Sequence, residues 1–175
     1  MPPDPGLPES VEFSRRLNLG VVRREGQPLD LEASPAECAA LANRFGILGV
    51  ESFCAALRLT PEPDGSVRVD GRLTARLTQE CVVTLEPVPQ EVAETVALRL
   101  LPPGREPEDG PEDPDEVESA PDGSVDLGEV LAEQLALALD PYPRAPGAEL
   151  PAEAQDPSAH GFGALARLRR DENKN

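Results

Sequence analysis

Residues 66–80, SVRVDGRLTARLTQE, alternate between apolar and polar positions with period two. Val67, Val69, Leu73, Ala75 and Leu77 fall on one side, and Arg68, Asp70, Arg72, Thr74, Arg76 and Thr78 on the other. This spacing predicts an antiparallel strand with one buried and one wet face. EVAETVALRLL at 91–101 alternates again, with Val92, Val96, Leu98 and Leu100 on one face. The two runs predict a hairpin, with Pro87 and Pro89 in its connection or at its edge. A third run, LGVESFCAALRL at 48–59, also reads as a strand, and PEPDG after it as a turn. VEFSRRLNLGVV at 11–22 alternates more loosely and is read as a further strand.

Two segments switch to helical spacing. In SPAECAALANRFG, Ser34 is an N-cap, Pro35 suits the first helical position and Glu37 completes a capping box. Gly46 supplies the left-handed stop, so a helix is expected over 35–45. In SVDLGEVLAEQLALALDPYPR, Asp126 caps and Glu129 follows three residues on. Leu127, Val130, Leu131, Leu135, Ala138 and Leu139 form one stripe, and Pro141 ends the helix. A single-faced sheet and a single-faced helix bury each other. The expectation is an α+β fold: an antiparallel sheet, a packed amphipathic C-terminal helix and a shorter N-terminal helix.

Composition adds the segments that the periodicity leaves out. The chain has 175 residues, 39% hydrophobic but only 3% aromatic, so its core is built from Leu, Val and Ala. Residues 102–122 hold nine acids and six of the 21 prolines. Such a stretch buries too little to offset the entropy of ordering it, and it is expected to be a disordered insertion. The expected organisation is a disordered N-terminus at 1–9, one domain over 10–144, and a Pro/Ala-rich linker with a basic tail over 145–175.

A net charge of −17 makes the average surface repel phosphate backbones and favours cationic partners. The N-terminal residues lack the apolar core of a signal peptide, and no stretch is long and apolar enough to span a bilayer. A cytoplasmic protein without membrane association is expected. Cys38, Cys54 and Cys81 are odd in number and irregularly spaced, which does not make a disulfide framework.

Candidate chemistry is sparse. Zinc requires about four Cys or His ligands, yet Thr84 stands where a second ligand would follow Cys81, and the single histidine is His160. No phosphate-cradling loop is present, and the acids lie mostly where burial cannot tune them. The expectation is a protein that is not an enzyme and has no cofactor, no metal and no small-molecule substrate. A hydrolase would instead need a cleft with a perturbed acid or thiol. Two arginine groups stand out: Arg15, Arg16, Arg23 and Arg24, and the strand row Arg68, Arg72 and Arg76. The row would follow a phosphate backbone or a carboxylate surface, or else pair across strands with acids such as Glu91. Arg15, Arg16, Arg68, Arg72, Arg76, Tyr142 and Arg144 are the candidate RNA or partner contacts.

GRLTARLTQECVVTLEPV, VDLGEVLAEQLALALDPYPRAPGA and GFGALARLRR, taken in that order, resemble the YceD family, the large ribosomal RNA subunit accumulation proteins. FSRRLNL and SPAECAALANRFGI are similar to its alphaproteobacterial branch. The resemblance implies a non-enzymatic bacterial factor in ribosome assembly. Its partners would be ribosomal proteins or assembly factors of the large subunit, together with rRNA. The family motif falls on Cys81, Thr84, Leu85, Glu86 and Pro87. Many members carry Cys-x-x-Cys there and a His- or Cys-bearing segment after the long helix, which implies a metal. This chain departs at both places, with Thr84 and PYPRAPGA, and Cys81 is expected to serve packing. An alternative reading is an acidic chaperone-like module that holds a basic protein without touching RNA.

Overall fold

The computed structural model describes residues 12–107 and 114–149. The expected N-terminal disorder at 1–9 and most of the expected linker and tail lie outside the described residues.

The chain runs β1 (Arg16–Asn18), a short 3-10 turn, β2 (Gln27–Glu32), α1 (Pro35–Phe45), β3 (Gly49–Pro61), β4 (Val67–Glu80), β5 (Pro87–Leu100), β6 (Asp115–Val117), β7 (Ser124–Asp126) and α2 (Leu127–Leu137). Five strands form one sheet in the order β2-β3-β4-β5-β6, while β1 and β7 form a separate antiparallel ribbon. The large sheet is antiparallel from β2 to β5, and β6 joins β5 in parallel. The fold is α+β, as the alternation and stripe patterns predict.

The long hairpin is the backbone of the sheet. β4 and β5 pair from Val67↔Leu100 to Glu80↔Pro87 in uninterrupted register. Along β4, Val67, Val69, Leu73, Ala75 and Leu77 are buried while the arginines stay exposed. A one-residue slip would turn every one of these side chains to the wrong face, so burial itself fixes the register. The inner face meets Leu41 and Ala42 of α1 and Leu127, Leu131, Ala132 and Leu135 of α2 in a single core.

Both helix starts follow the sequence signals. Ser34 Oγ accepts the Glu37 N–H, and the Glu37 carboxylate accepts the Ser34 N–H, closing the capping box. Gly46 ends α1 with φ 65°, where a side chain would be strained. Asp126 caps α2 by accepting the Glu129 N–H, and it also accepts the Arg15 N–H at 2.8 Å and the Ser14 hydroxyl. The N-terminal arm is thereby tied to the start of α2. Arg15 carries the tie on to α1, with two bonds to the Glu37 carboxylate at 2.7 and 3.0 Å. Its guanidinium also lies 4.3 Å from the centre of the Phe13 ring. The Arg15 hydrogen bond, then the Ser34 amide, hold the Glu37 carboxyl down at about 2. Arg44, near the end of α1, reaches Glu129 in the first turn of α2 with two bonds at 2.8 and 2.6 Å.

Five points need correction. The N-terminal helix is not the shorter one: each helix has 11 residues, because α2 stops at Leu137 with Ala138 as its C-cap, ahead of Pro141. The run at 11–22 yields only three residues of strand followed by a 3-10 turn, since β1 has just β7 to pair with. The sequence reading passed over β2, whose residues alternate about Pro28. The acidic segment is not wholly without structure: Asp115–Val117 form β6, because Glu116 there answers Arg99 of β5 at 3.0 Å. Residues 108–113 of that segment lie outside the described residues. The domain also runs past residue 144, since Ala145 bonds to Cys81.

Gly128 shows how tightly the arm seats on α2. A Cβ placed there would lie 2.3 Å from the Phe13 carbonyl oxygen and 2.8 Å from the Arg15 nitrogen. Helix propensity alone would make Gly128→Ala stabilising by about 1 kcal/mol. The backbone contact reverses the sign, and a loss of about 1–3 kcal/mol is expected, read as a lower urea midpoint with an unchanged slope.

Candidate functional site

Two surfaces emerge: the turn between β4 and β5, and the face of the sheet that no helix covers. The turn is built around Cys81. Its side chain is fully buried, and its sulfur accepts the N–H groups of Val83 at 3.4 Å, Thr84 at 3.3 Å and Ala145 at 3.3 Å. The main chain closes the same turn, with Cys81 N–H donating to the Glu86 carbonyl and Leu85 N–H to the Cys81 carbonyl. Leu85 sits at φ 61°, the conformation that lets the chain reverse here.

The segment after α2 is held against this turn. Val82 N–H donates to the Pro143 carbonyl at 2.9 Å, and Gln79 Nε2 donates to the Asp140 carbonyl at 3.0 Å. Two stretches some sixty residues apart in sequence are thus joined through one sulfur atom. The Ala145 N–H first, then the Thr84 hydroxyl and the Thr84 and Val83 amides, outweigh burial and bring the Cys81 thiol from 9.0 down to about 7. Cys38 goes the other way: burial pushes its thiol up.

The residues present do not fit a metal. Thr84 Oγ1 donates to the Glu86 carboxylate at 3.1 Å, and the facing segment offers neither Cys nor His. Among the described residues, no three His, Cys, Asp or Glu side chains gather as ligands. A lone thiol filled by three backbone donors closes the turn by hydrogen bonding where a metal would close it by coordination.

The remaining candidates separate into committed and open groups. Arg15 is taken up by Glu37, Phe13 and the Glu32 carbonyl, so it works inside the fold and leaves the set of contact residues. Arg16 leans on Asp122 and Ser124 of the small ribbon, far along the chain from the sheet row. Arg68 pairs with Asp70 on its own strand. Arg76 reaches only the Ser52 hydroxyl, at 3.3 Å. Arg72 has no hydrogen bond or ion pair to another described residue, and neither has Arg58, which the sequence reading missed. Arg58 lies opposite Asp70 in the β3–β4 register, and only that register reveals that it joins the row. Tyr142 and Arg144 are exposed beside the Cys81 turn, next to Pro143 and Ala145, which bond to it.

Between the arginines the uncovered face carries small side chains and several acids. Cys54, Ala56, Arg72 and Thr74 share a shallow depression of about 350 Å³ with Asp30 and Glu32 at its border. At one end, Arg99 is neutralised by Glu62, Asp64 and Glu116. Among the described residues, Arg58, Arg72 and Arg76 are the arginines of this face without an ion pair, while Arg23, Arg24 and Arg144, equally exposed and without one, lie off the sheet.

The family model for the large ribosomal RNA subunit accumulation protein YceD matches residues 69–168, more than half of the chain. The chain belongs to the YceD family. No curated protein and no solved structure is matched by it. The YceD match takes in most of β4, the Cys81 turn, β5, α2 and the segment that returns to the turn. The region before residue 69, with β2, α1 and Arg58, lies outside it. None of the helices among the described residues is long and apolar enough to cross a membrane.

Replacing the sulfur tests the turn. Cys81→Ala removes the acceptor of three backbone donors, and a loss of about 1–3 kcal/mol is expected in urea unfolding. The thiolate is favoured in the folded state, so its contribution is full above pH 9.0 and is lost as the pH falls through about 7. The stability gap between the native chain and Cys81→Ala should therefore widen as the pH rises between those values, and an unchanging gap would remove the charge from the account.

Proposed function

We propose that this protein promotes accumulation of large-subunit ribosomal RNA as a binding factor without catalysis. On this reading it acts in the bacterial cytoplasm and contacts rRNA through the uncovered sheet face. The observation that carries the reading is the group Arg58, Arg72 and Arg76, three guanidinium groups that make no ion pair with another described residue, Glu91 opposite Arg76 included, on the open face of a chain whose net charge is −17. Membership of the YceD family supplies the ribosomal context.

The face is suited to phosphate oxygens more than to bases. It carries arginines at alternate outward positions and no aromatic ring on which a base would stack. The acidic remainder of the surface keeps contact local, repelling RNA elsewhere and favouring basic ribosomal proteins or assembly factors of the large subunit. No cofactor and no small-molecule substrate enters this function.

A second reading draws on the same charge balance. With Asp30, Glu32 and Glu91 on the same face, the surface also suits one basic protein held without RNA. The two separate experimentally. In the triple variant Arg58→Glu, Arg72→Glu, Arg76→Glu, RNA association should fall at least about tenfold at moderate salt. The variant should also fail to restore large-subunit rRNA in cells lacking the protein. All three side chains are exposed, so folding is retained. Unchanged rRNA levels and RNase-resistant capture of a basic protein would favour the second reading.

A further inference from the structure

An apolar groove of about 490 Å³ lies where the end of α1, the end of α2 and the Cys81 turn meet. Phe45, Ile47, Val82, Leu137, Leu139 and Pro143 supply its apolar wall. Leu137 is 87% exposed and Val82 49%, so two apolar side chains of the groove are left to water. Glu80 and Asp140 are the charged residues that line it, and no cation does. Gln79, also in the wall, is only 7% exposed, and its Oε1 accepts no hydrogen bond among the described residues.

We propose that this groove seats the chain's own C-terminal segment, Gly161–Arg170. Phe162, Leu165 and Leu168 are spaced three apart, and Arg167, Arg169 and Arg170 are interleaved with them, with no acid between Pro157 and Arg170. That is the complement of an apolar wall edged by two carboxylates. The described chain leaves from the groove itself: Pro143 lines it and is bonded to Val82, and Ala145 is bonded to Cys81. From Glu149 the stretch to Phe162 reaches about 40 Å when extended, ample for a return. The YceD match runs to residue 168, so the three apolar positions fall within the region shared with the family. Docking covers Leu137 and Val82, sets the arginines near Glu80 and Asp140, and brings N–H donors to the wall that holds Gln79.

Amide hydrogen exchange on the full-length chain tests this. Residues 161–170 should exchange at least about tenfold more slowly than the same sequence as a free peptide. Leu137→Glu in the groove and Leu165→Asp in the tail should each restore the free rate, and Leu137 is exposed enough for the fold to tolerate the change. Exchange at the free rate in the native chain overturns the proposal. So does protection that survives Leu137→Glu, which would put the tail elsewhere. Protection that rises with protein concentration overturns it as well, by making the occupant the tail of a second copy.

Discussion

Strand β4 is buried on one side only, and everything else follows from covering that side. Its inner row, Val67 to Leu77, has no aromatic residue to fill space, so coverage comes from two leucine- and alanine-rich helices. Each fully buried aliphatic side chain contributes about 1.5–3 kcal/mol, and such contributions are the main return against chain entropy. The arm before β1 links the two helices: Arg15 holds Glu37 of α1, Asp126 at the cap of α2 holds the arm, and Arg44 bridges directly. Coverage is used up on one face. The other is left to water, and there Arg58, Arg72 and Arg76 stand.

Much of this was legible along the chain wherever a local rule was strong. The hairpin was readable because burial alternates along most of β4 and again from Val96 to Leu100 of β5. Helix α1 was readable to both ends because Ser34, Pro35, Glu37 and Gly46 each have one local meaning. What escaped depends on distant partners. Strand β2 contains a proline and is held only by β3, and β6 lies in a proline-rich acidic stretch whose order rests on Arg99. The candidate arginines sorted the same way. Arg15 and Arg58 look alike in sequence, yet the fold buries the use of one against Glu37 and leaves the other open.

The Cys81 turn shows how one sulfur can organise two distant stretches of backbone. It gathers the backbone of the turn and of the segment after α2, with N–H donors as its partners. Thr84 keeps a local role by bonding Glu86. The architecture of the turn therefore rests on three backbone donors shared by one weak sulfur acceptor and on a close fit, and these donors draw the buried thiol toward its charged form.

The borders of the sheet have a consequence for crowded conditions. An open strand is a template on which other chains can polymerise. One border, β2, has Pro28 interrupting its amide donors and alternates Asp30 and Glu32 along its outward side. On the opposite side β6 covers only Leu98–Leu100 of β5, and the rest of that border carries Pro87, Pro89, Glu91 and Glu94. Prolines and acids along both borders disfavour the addition of another chain, even though one side of the sheet is bare.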